Sequence, residues 1–388
     1  MIRFINLLVV SRNMELTLKM RVREKTKWKI QALREAMDTF RQAVNDWIDV
    51  AWEHKIINRS LHSLAYKELR EKYPNLYSNS LQDAMNWAIQ IVKTELKVNP
   101  DKKPKFDSLM ISFKNVDFKF ENNGFVIPLN GKRVYVPVYV PKKYYKWLVN
   151  GKFGRLYFKE EDGEIYAYLT VKVDEKKPYK PKLWFGVDLG VHNLVVVADS
   201  KGREILRFDG EIVNHYKELL EKERARRQRR YMKYLNNRKF RLGHKHRNFS
   251  KYVNHIIAKE IVRKAKEYQA CIVLEKLRGV KRKSAKMPKW VRKLLYRWSY
   301  NDLIQKIKYK AKLEGVPIIE VSPRNTSKTC SKCGYVYKRF KNQRVFHCPK
   351  CGSVIDRDLN ASINIAKKGM KEFNKRVLKG EASNPQGR

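Results

Sequence analysis

The sequence predicts a mixed chain, in which a β-rich N-terminal part carrying inserted helices is followed by an α/β part with a small cysteine-rich insert. Three observations support this fold class. Alternating apolar and polar residues mark strands at residues 15–23 and through much of 109–173. Apolar residues at helical spacing fill the interval between them, and from residue 183 short apolar runs alternate with helical patterns. A length of 388 residues allows two or three domains.

The N-terminal part begins with a strand whose pattern is cleanest from Met14, so Met1 and Met14 are both candidate start residues. A long helix follows, because apolar residues recur three and four positions apart. These residues are Ile30, Leu33, Met37, Phe40, Val44, Trp47 and Ala51. Pro74 ends a second helix, and residues 79–97 predict a third.

After the third helix the pattern returns to strands. Asp162-Gly163 between two alternating runs predicts a tight hairpin turn, and Pro137 within a run indicates an edge strand or a bulge. We therefore expect residues 1–24, with 1–13 as an extension, and residues 105–181 to form one β-barrel or curled sheet. Residues 25–104 are expected to form a helical bundle inserted after its first strand.

A charged, proline-containing linker at residues 174–182 separates this part from the α/β part. Strands are predicted at 183–187, 194–198, 204–208, 270–274 and 316–321, and helices at 222–230, 298–313 and 358–368. Three strands followed by alternating helices and strands is the order of an RNase H-like fold, whose first strand is central and carries an acid. We expect residues 182–325 and 356–369 to form this domain, and 370–388 to be a flexible tail.

The charge of the chain points to a polyanionic partner. Lys and Arg number 86 against 39 Asp and Glu, a formal net charge of +47. Residues 211–310 alone contain 31 basic and 8 acidic residues. Nucleic acid is the favoured partner, since an acidic membrane surface would call for a lipid-inserting helix beside the basic segment. The basic helix at 222–230 is expected to contact phosphates through Arg226, Arg227, Arg229 and Arg230.

Four of the five cysteines form two CxxC pairs with fourteen residues between them, the spacing of a zinc site. The pairs are Cys330 with Cys333 and Cys348 with Cys351. Four thiolates imply one closed, structural Zn²⁺, so His347 is an unnecessary substitute ligand. We expect a zinc ribbon at residues 326–355.

Cellular location is predicted from the same cysteines. They do not resemble a disulfide framework, and Cys271 lies inside an apolar run, so a reducing cytoplasm is expected. The apolar run at residues 2–10 is too short to span a bilayer and lacks a signal-peptide cleavage site. No membrane partner is therefore predicted.

Three acids lie at strand or helix ends of the α/β part: Asp188, Glu275 and Asp358. A carboxylate beside a buried strand is costly unless it binds a positive group. If the three converge, they can hold one or two Mg²⁺ or Mn²⁺ ions for phosphodiester hydrolysis. Taken alone, Asp358 could instead be the N-cap of its helix.

These motifs together resemble the TnpB family of transposon-encoded, RNA-guided nucleases related to type V CRISPR effectors. The resemblance rests on four runs in the family's order: Phe185–Val191, Val273–Leu277, Thr326–Gly334 and Asp356–Ile365. It implies a RuvC-type nuclease domain whose acids fall on Asp188, Glu275 and Asp358, with two Mg²⁺ or Mn²⁺ ions. The role of Asp356 stays open.

The resemblance also implies a guide RNA from the transposon end, a double-stranded DNA target and a monomer bound to that RNA. The RNA would be held between the nuclease domain and a wedge-type barrel with a helical recognition lobe. In the family that lobe and barrel recognise a short motif beside the target, for which Asn79, Ser80 and Gln82 are candidates. Their alternative role is an ordinary helix N-terminus. Arg324 is a candidate phosphate contact or a surface charge.

Two other functions stay open from sequence. One is a nuclease-like fold that only binds nucleic acid, as a regulator of transposition. The other is a DNA strand-transferase, although such enzymes usually order their acids Asp, Asp, Glu, and the order here is Asp, Glu, Asp.

Overall fold

The computed structural model describes residues 13–190, 192–230, 236–276, 300–337 and 344–378. The chain divides into two compact units, with the boundary after Asp174. Among the described residues, none of the helices has an apolar stretch long enough to cross a membrane.

Unit 1 is a seven-stranded sheet with three helices inserted between its first two strands. Its strands are β1 (Asn13–Val22), β2 (Met110–Phe113), β3 (Lys119–Glu121), β4 (Gly124–Leu129), β5 (Lys132–Tyr139), β6 (Lys152–Glu161) and β7 (Glu164–Asp174). Its helices are α1 (Lys27–Glu53), α2 (Ser60–Lys72), α3 (Ser78–Val98) and the short α4 (Tyr145–Asn150). The strand order is β2-β6-β7-β1-β5-β4-β3. Sequence analysis missed α4, whose six residues are too few to show a helical period.

One face of this sheet is buried with the helices in a single apolar core. Phe40 and Trp47 of α1 are fully buried in that core together with Phe125 and Phe158 of the sheet. The periodic residues of α1 identified from sequence are therefore core residues. The opposite face of the sheet stays partly exposed.

Two turn and strand predictions have different outcomes. Asp162 and Gly163 join β6 to β7 with φ of 54° and 81°, which confirms the hairpin. The edge-strand prediction for Pro137 is wrong, because β5 lies between β1 and β4, in regular register with β4. Proline is tolerated because its nitrogen faces the β1 side, and only the last two residues of β1 pair with β5.

Unit 2 is a five-stranded sheet covered by helices, with a two-stranded hairpin inserted late in the chain. Its strands are β8 (Leu183–Asp188), β9 (Asn193–Asp199), β10 (Glu204–Asp209), β11 (Ala270–Glu275), β12 (Ile318–Val321), β13 (Val345–His347) and β14 (Val354–Asp356). Its helices are α5 (Glu211–Arg230), α6 (Asn236–Glu267), α7 (Tyr300–Glu314) and α8 (Arg357–Leu378). The order is β10-β9-β8-β11-β12, so β8 is central.

Strand direction changes at β8. It pairs antiparallel with β9 and parallel with β11, which in turn is parallel to β12. The last helix is longer than predicted, since α8 continues to Leu378. The expectation of a flexible tail from residue 370 is therefore wrong for residues 370–378, and residues 379–388 lie outside the described part. Gly369 lies inside this helix, although glycine commonly marks a helix end.

Helix α8 approaches the centre of the sheet unusually closely. A Cβ added at Gly186 in β8 would lie 2.0 Å from the carbonyl oxygen of Ser362 and 2.5 Å from the amide nitrogen of Ala366. A Cβ at Gly369 of α8 would lie 2.2 Å from a methyl group of Val273 in β11. Glycine costs about 1 kcal/mol in helix propensity at position 369. The close packing against Val273 explains why a glycine stands there, since any side chain would clash.

We predict that Gly186→Ala destabilises the packing of α8 on β8 by about 3 kcal/mol or more, the upper end for overpacking, because the added methyl group meets helix backbone. Hydrogen–deuterium exchange of the β8 and β11 amides should accelerate about a hundredfold. Gly154→Ala in β6 is the control, since its Cβ has no neighbour closer than 3.4 Å. Unchanged exchange in Gly186→Ala would contradict the close packing.

Candidate active site and cysteine cluster

The first two acids lie at the same edge of the sheet. Asp188 and Glu275 are the last residues of β8 and β11, and their preceding residues, Val187 and Leu274, are register partners in this parallel pair. Asp358 comes from the first turn of α8, the helix that packs on both strands. The fold therefore brings the three predicted acids to one region.

Asp358 is oriented by the first residue of β9. The side-chain amide of Asn193 donates to Asp358 Oδ2 over 2.8 Å. A Cβ on Gly190 would lie 2.7 Å from the carbonyl oxygen of Asn193, so glycine allows the close turn that brings Asn193 to this position. Sequence analysis missed Asn193, because nothing in its local pattern pointed to a contact 165 residues away.

The neighbouring Asp356 has a different role. Its Oδ1 accepts the backbone N–H of Leu359 over 2.9 Å, as an N-cap does at the third helical residue. It also lies 3.4 Å from the guanidinium of Arg207. The alternative that Asp358 caps α8 is therefore wrong; Asp356 caps the helix, and the carboxylate of Asp358 is left for the acidic site.

Glu275 is oriented by a residue that precedes the cysteine pairs. The hydroxyl of Thr326 donates to Glu275 Oε1 over 2.6 Å. Burial raises the pKa of Glu275, while this hydrogen bond and the field of Lys368 act in the opposite direction. Sequence analysis missed Thr326 as a site residue.

Asp188 has the most perturbed environment of the three. It is half-buried, and desolvation by burial, then the charges of Asp358 and Glu275, raise its pKa to about 8. Arg357 and a backbone N–H lower it but do not compensate. Tyr300 lies beside it, with its hydroxyl donating to the carbonyl of Gly190 over 3.0 Å. Burial and the nearby Asp188 charge raise the pKa of Tyr300.

The site therefore holds partly buried carboxylates, with too little positive charge near Asp188 to offset them. A divalent cation would remove this imbalance, and carboxylate oxygens are the ligands that Mg²⁺ and Mn²⁺ prefer. Among the described residues, only the cysteines bring ligand atoms of three or more residues within 4.8 Å of one another.

The four predicted cysteines do converge. Their Sγ atoms all lie within 4.8 Å of one another, with 3.7 Å between Cys330 and Cys351 and 3.6 Å between Cys333 and Cys348. Tetrahedral zinc with Zn–S bonds of about 2.3 Å requires sulfurs about 3.8 Å apart. The cluster therefore has the dimensions of a tetrahedral zinc site.

Each cysteine pair is shaped as a knuckle. The amides of Gly334 and Gly352 donate to the carbonyls of Cys330 and Cys348 over 2.9 Å, and both glycines have positive φ, 77° and 66°. The predicted substitute His347 lies in β13 and does not belong to the cluster.

Two buried asparagines on α8 join this cluster to the acidic site. Asn360 accepts the amide N–H of Ser331 and donates to the carbonyl of Thr329, both over 2.8 Å. Asn364 donates to the carbonyls of Thr326 and Thr329 over 2.9 and 2.7 Å. Sequence analysis assigned neither a role, although polar residues four apart among the apolar residues of a helix are a usable signal.

The predicted nucleic-acid contacts are only partly described. Arg226 is exposed on α5, and Arg324 is exposed before the first cysteine pair. Arg227, Arg229 and Arg230 lie on α5, but their side chains are outside the described residues.

The candidates on α3 have protein partners. Ser80 is fully buried and its hydroxyl donates to the carbonyl of Ser112, so the prediction that it contacts DNA is wrong. A small, polar residue such as serine suits a buried contact with β2 as well as a contact with DNA, so residue type alone does not distinguish the two roles. Asn79 and Gln82 both accept from the Lys114 ammonium. Their role in recognising DNA stays a prediction.

Comparisons with known proteins agree with this arrangement. The family model of the Cas12f1-like TNB domain matches residues 300–365, from α7 to the start of α8. A TnpB-like protein of Aquifex aeolicus is 32% identical over 251 residues, covering 58% of this chain and 81% of that protein. A TnpB-like protein of Methanocaldococcus jannaschii is 27% identical, covering 65% and 92%.

A CRISPR-associated endodeoxyribonuclease, Cas12f1 of Syntrophomonas palmitatica, is 24% identical over 353 residues, covering 77% of this chain and 69% of that protein. The fold resembles the protein in a solved Cas12f1–sgRNA–target DNA complex, with a TM-score of 0.64 and 17% identity over 91% of this chain and 99% of that one. The chain belongs to the family of TnpB-like proteins.

We predict that Thr326→Val weakens divalent-cation binding at the acidic site, because Glu275 loses the hydrogen bond that fixes it. Loss of an outer hydrogen bond to a metal ligand typically reduces affinity about 10- to 100-fold. Mn²⁺ binding, measured by electron paramagnetic resonance of free Mn²⁺, tests this. Thr326→Ser keeps the hydroxyl and should bind as the wild type does; equal affinity of all three proteins would contradict the role.

We also predict that Asp188→Asn stabilises the protein when no divalent cation is added. The folded-state pKa of Asp188, about 8, lies above the unfolded value of 3.8, so the folded state loses stability as pH rises from about 4 to 8. The gain in melting temperature from Asp188→Asn should thus be larger at pH 8 than at pH 5.

Asp302→Asn is the control, because its expected effect on the melting temperature has the opposite sign. Despite burial, hydrogen bonds from Asn254 and Lys306 lower the pKa of Asp302, so its contribution is present at neutral pH and lost as pH falls through that depressed pKa. Asp302→Asn should lower the melting temperature at pH 8. A destabilising Asp188→Asn would contradict the uncompensated charge.

Proposed function

We propose that this chain is an RNA-guided DNA endonuclease encoded by an insertion sequence. The observation that carries the proposal is the convergence of Asp188, Glu275 and Asp358 at one edge of the sheet, with their negative charge uncompensated. Membership of the TnpB-like family supports it, as do relatives named CRISPR-associated endodeoxyribonucleases. The similar fold in a complex with an sgRNA and target DNA supports the choice of partners.

The nuclease domain is proposed to be RNase H-like, of the RuvC type. The central β8, the antiparallel first three strands and the parallel β11 and β12 support this assignment. The inserted-helix architecture of unit 1 supports the wedge and recognition roles expected from sequence, with Asn79 and Gln82 kept as candidates for recognising the target-adjacent motif.

The acidic site is proposed to hold two Mg²⁺ or Mn²⁺ ions. The donor set fits, since Asp358 and Glu275 lie close enough to Asp188 for their charges to raise its pKa. Two ions about 3.5–4 Å apart are the arrangement with which such carboxylate sites cut phosphodiester bonds. When bound, such ions activate water and stabilise the leaving 3′-oxygen.

The protein groups prepare this chemistry. Asn193 and Thr326 hold Asp358 and Glu275 in fixed orientations, so little rearrangement is needed when substrate arrives. Asp188 keeps its proton near neutral pH until its charge is balanced. Arg324 stays a candidate contact to a phosphate of the strand being cut.

The cysteine cluster is proposed to bind one structural Zn²⁺. The sulfur spacing and the two knuckles support zinc. Through Asn360 and Asn364 the metal would fix the segment that carries Thr326. Free thiols arranged for metal rather than disulfides suit the reducing cytoplasm.

The RNA partner is proposed to supply sequence specificity. The net charge of +47 and the exposed Arg226 on α5 suit a duplex held by its backbone. Arg227, Arg229 and Arg230 share that helix and are proposed to contribute. We propose a monomer bound to one guide RNA.

The experiment uses the full chain freed of RNA, and a guide designed from the RNA that co-purifies with it. A matched guide should direct cleavage of double-stranded DNA in the presence of Mg²⁺, and a scrambled guide should not. Asp188→Ala, Glu275→Ala and Asp358→Ala should each abolish cleavage and leave RNA binding largely intact, because these acids hold metal rather than phosphate.

Asp356→Asn is the matched control, since it changes the adjacent acid that caps α8. It should cost little stability, because Asn caps a helix about as well as Asp, and it should still cleave. Equal cutting with matched and scrambled guides would reject RNA guidance. Cleavage by Asp188→Ala would reject the acidic site as the catalytic centre.

A further inference from the structure

The exposed face of the sheet in unit 1 combines tyrosines with basic residues in register. Tyr157 of β6 pairs with Tyr168 of β7, which pairs with Lys19 of β1. In the adjacent row, Tyr166 of β7 pairs with Arg21 of β1, which pairs with Tyr139 of β5. Side chains directly opposite one another across strands share one face. We call these six residues the tyrosine face.

The tyrosine rings of this face are accessible to solvent, and two of them already stack on each other. Tyr139 is 51% exposed, and Tyr157, Tyr166 and Tyr168 are half-buried. The rings of Tyr157 and Tyr168 are stacked, with centroids 4.8 Å apart and planes within 5°. These are large aromatic surfaces on a rigid sheet, whose other side is the core of unit 1.

Cations also lie over the rings of the tyrosine face. The ammonium of Lys19 is 3.9 Å from the ring centre of Tyr166, and the guanidinium of Arg23 is 4.9 Å from that of Tyr139. Two carboxylates contact the face: Glu161 pairs with Lys19 over 2.5 Å and Glu164 with Arg21 over 2.6 Å. Lys19, Arg21 and Arg23 outnumber them, so the face has an excess of positive charge.

We propose that the tyrosine face binds unpaired nucleotides of the RNA partner by stacking their bases on the tyrosine rings, while Lys19, Arg21 and Arg23 turn to their phosphates. A nucleotide combines a flat base with an anionic phosphate, and this is the pairing of surfaces that the face offers. Tyrosine hydroxyls add partners for the ribose 2′-hydroxyl, which favours RNA over DNA. The RNA is the one proposed above as guide; the surface and its mode of contact are new.

The test measures binding of three probes to the full chain freed of RNA, by fluorescence anisotropy over a series of salt concentrations. The probes are an unstructured RNA of about 12 nucleotides, DNA of the same sequence, and that RNA annealed to its complement. The double variant Tyr139→Leu, Tyr166→Leu should lose affinity for the unpaired RNA, on the order of tenfold for each ring. Its salt dependence should not change, because no charge is removed.

Matched variants separate stacking from charge and from misfolding. Tyr139→Phe with Tyr166→Phe keeps both rings and should retain most of the affinity. Arg21→Gln should reduce the slope of log affinity against log salt by about 0.7. Arg34→Gln is its control, since Arg34 is a similarly exposed arginine paired with Glu160, on α1 and off the tyrosine face.

Each outcome decides the proposal. Unchanged RNA affinity in the double Leu variant, or an equal loss for the annealed duplex, would overturn it. An equal loss for the DNA strand would overturn the preference for RNA. Guided DNA cleavage by the wild-type protein is measured in parallel. If the wild type cleaves and the tyrosine variants bind RNA normally, the tyrosine-face proposal is refuted and the proposed nuclease function is not.

Discussion

The contact between α8 and the centre of the second sheet is the constraint on which the acidic site depends. Gly186 and Gly369 allow helix backbone and strand to approach at distances that any side chain would prevent. Because Asp358 lies in the first turn of that helix, its position relative to Asp188 is set by backbone packing. Backbone packing is more rigid than a contact between long side chains.

This packing also limits how the site can change. Helix α8 cannot move along the sheet without bringing a larger residue against β8 or β11. Any change in the positions of the three carboxylates must therefore come from side-chain rotation, from the start of β9, which carries Asn193, or from the loop that carries Thr326. The cysteine cluster stiffens the loop that carries Thr326 through Asn360 and Asn364.

Sequence patterns predicted local structure well where the physics is local. Alternation found the strands of both units, and the Asp162-Gly163 pair fixed one hairpin because few other residues adopt φ > 0 in both positions. CxxC spacing predicted the cysteine cluster, since two residues between ligands suit a knuckle. The acids were visible because a carboxylate beside a buried strand is unusual.

Contacts between distant residues were not predictable in the same way. Ser80 was expected to face DNA but lies against Ser112, because the side of a helix that is buried depends on a strand 32 residues later. Pro137 was expected at an edge, and only the short overlap with β1 explains its place inside the sheet. Asn193 and Thr326 belong to the site through contacts that no local pattern encodes.

The groups that orient Asp358 and Glu275 are an amide and a hydroxyl, both neutral. A lysine in either place would fix the carboxylate equally well but would also cancel its charge, and an arriving cation would then have to displace it. These neutral donors hold the geometry without competing for the charge, although the guanidinium of Arg357 lies 3.9 Å from Asp358 Oδ1. If the proposed metal ions bind, they can therefore leave while Asn193 and Thr326 still orient Asp358 and Glu275.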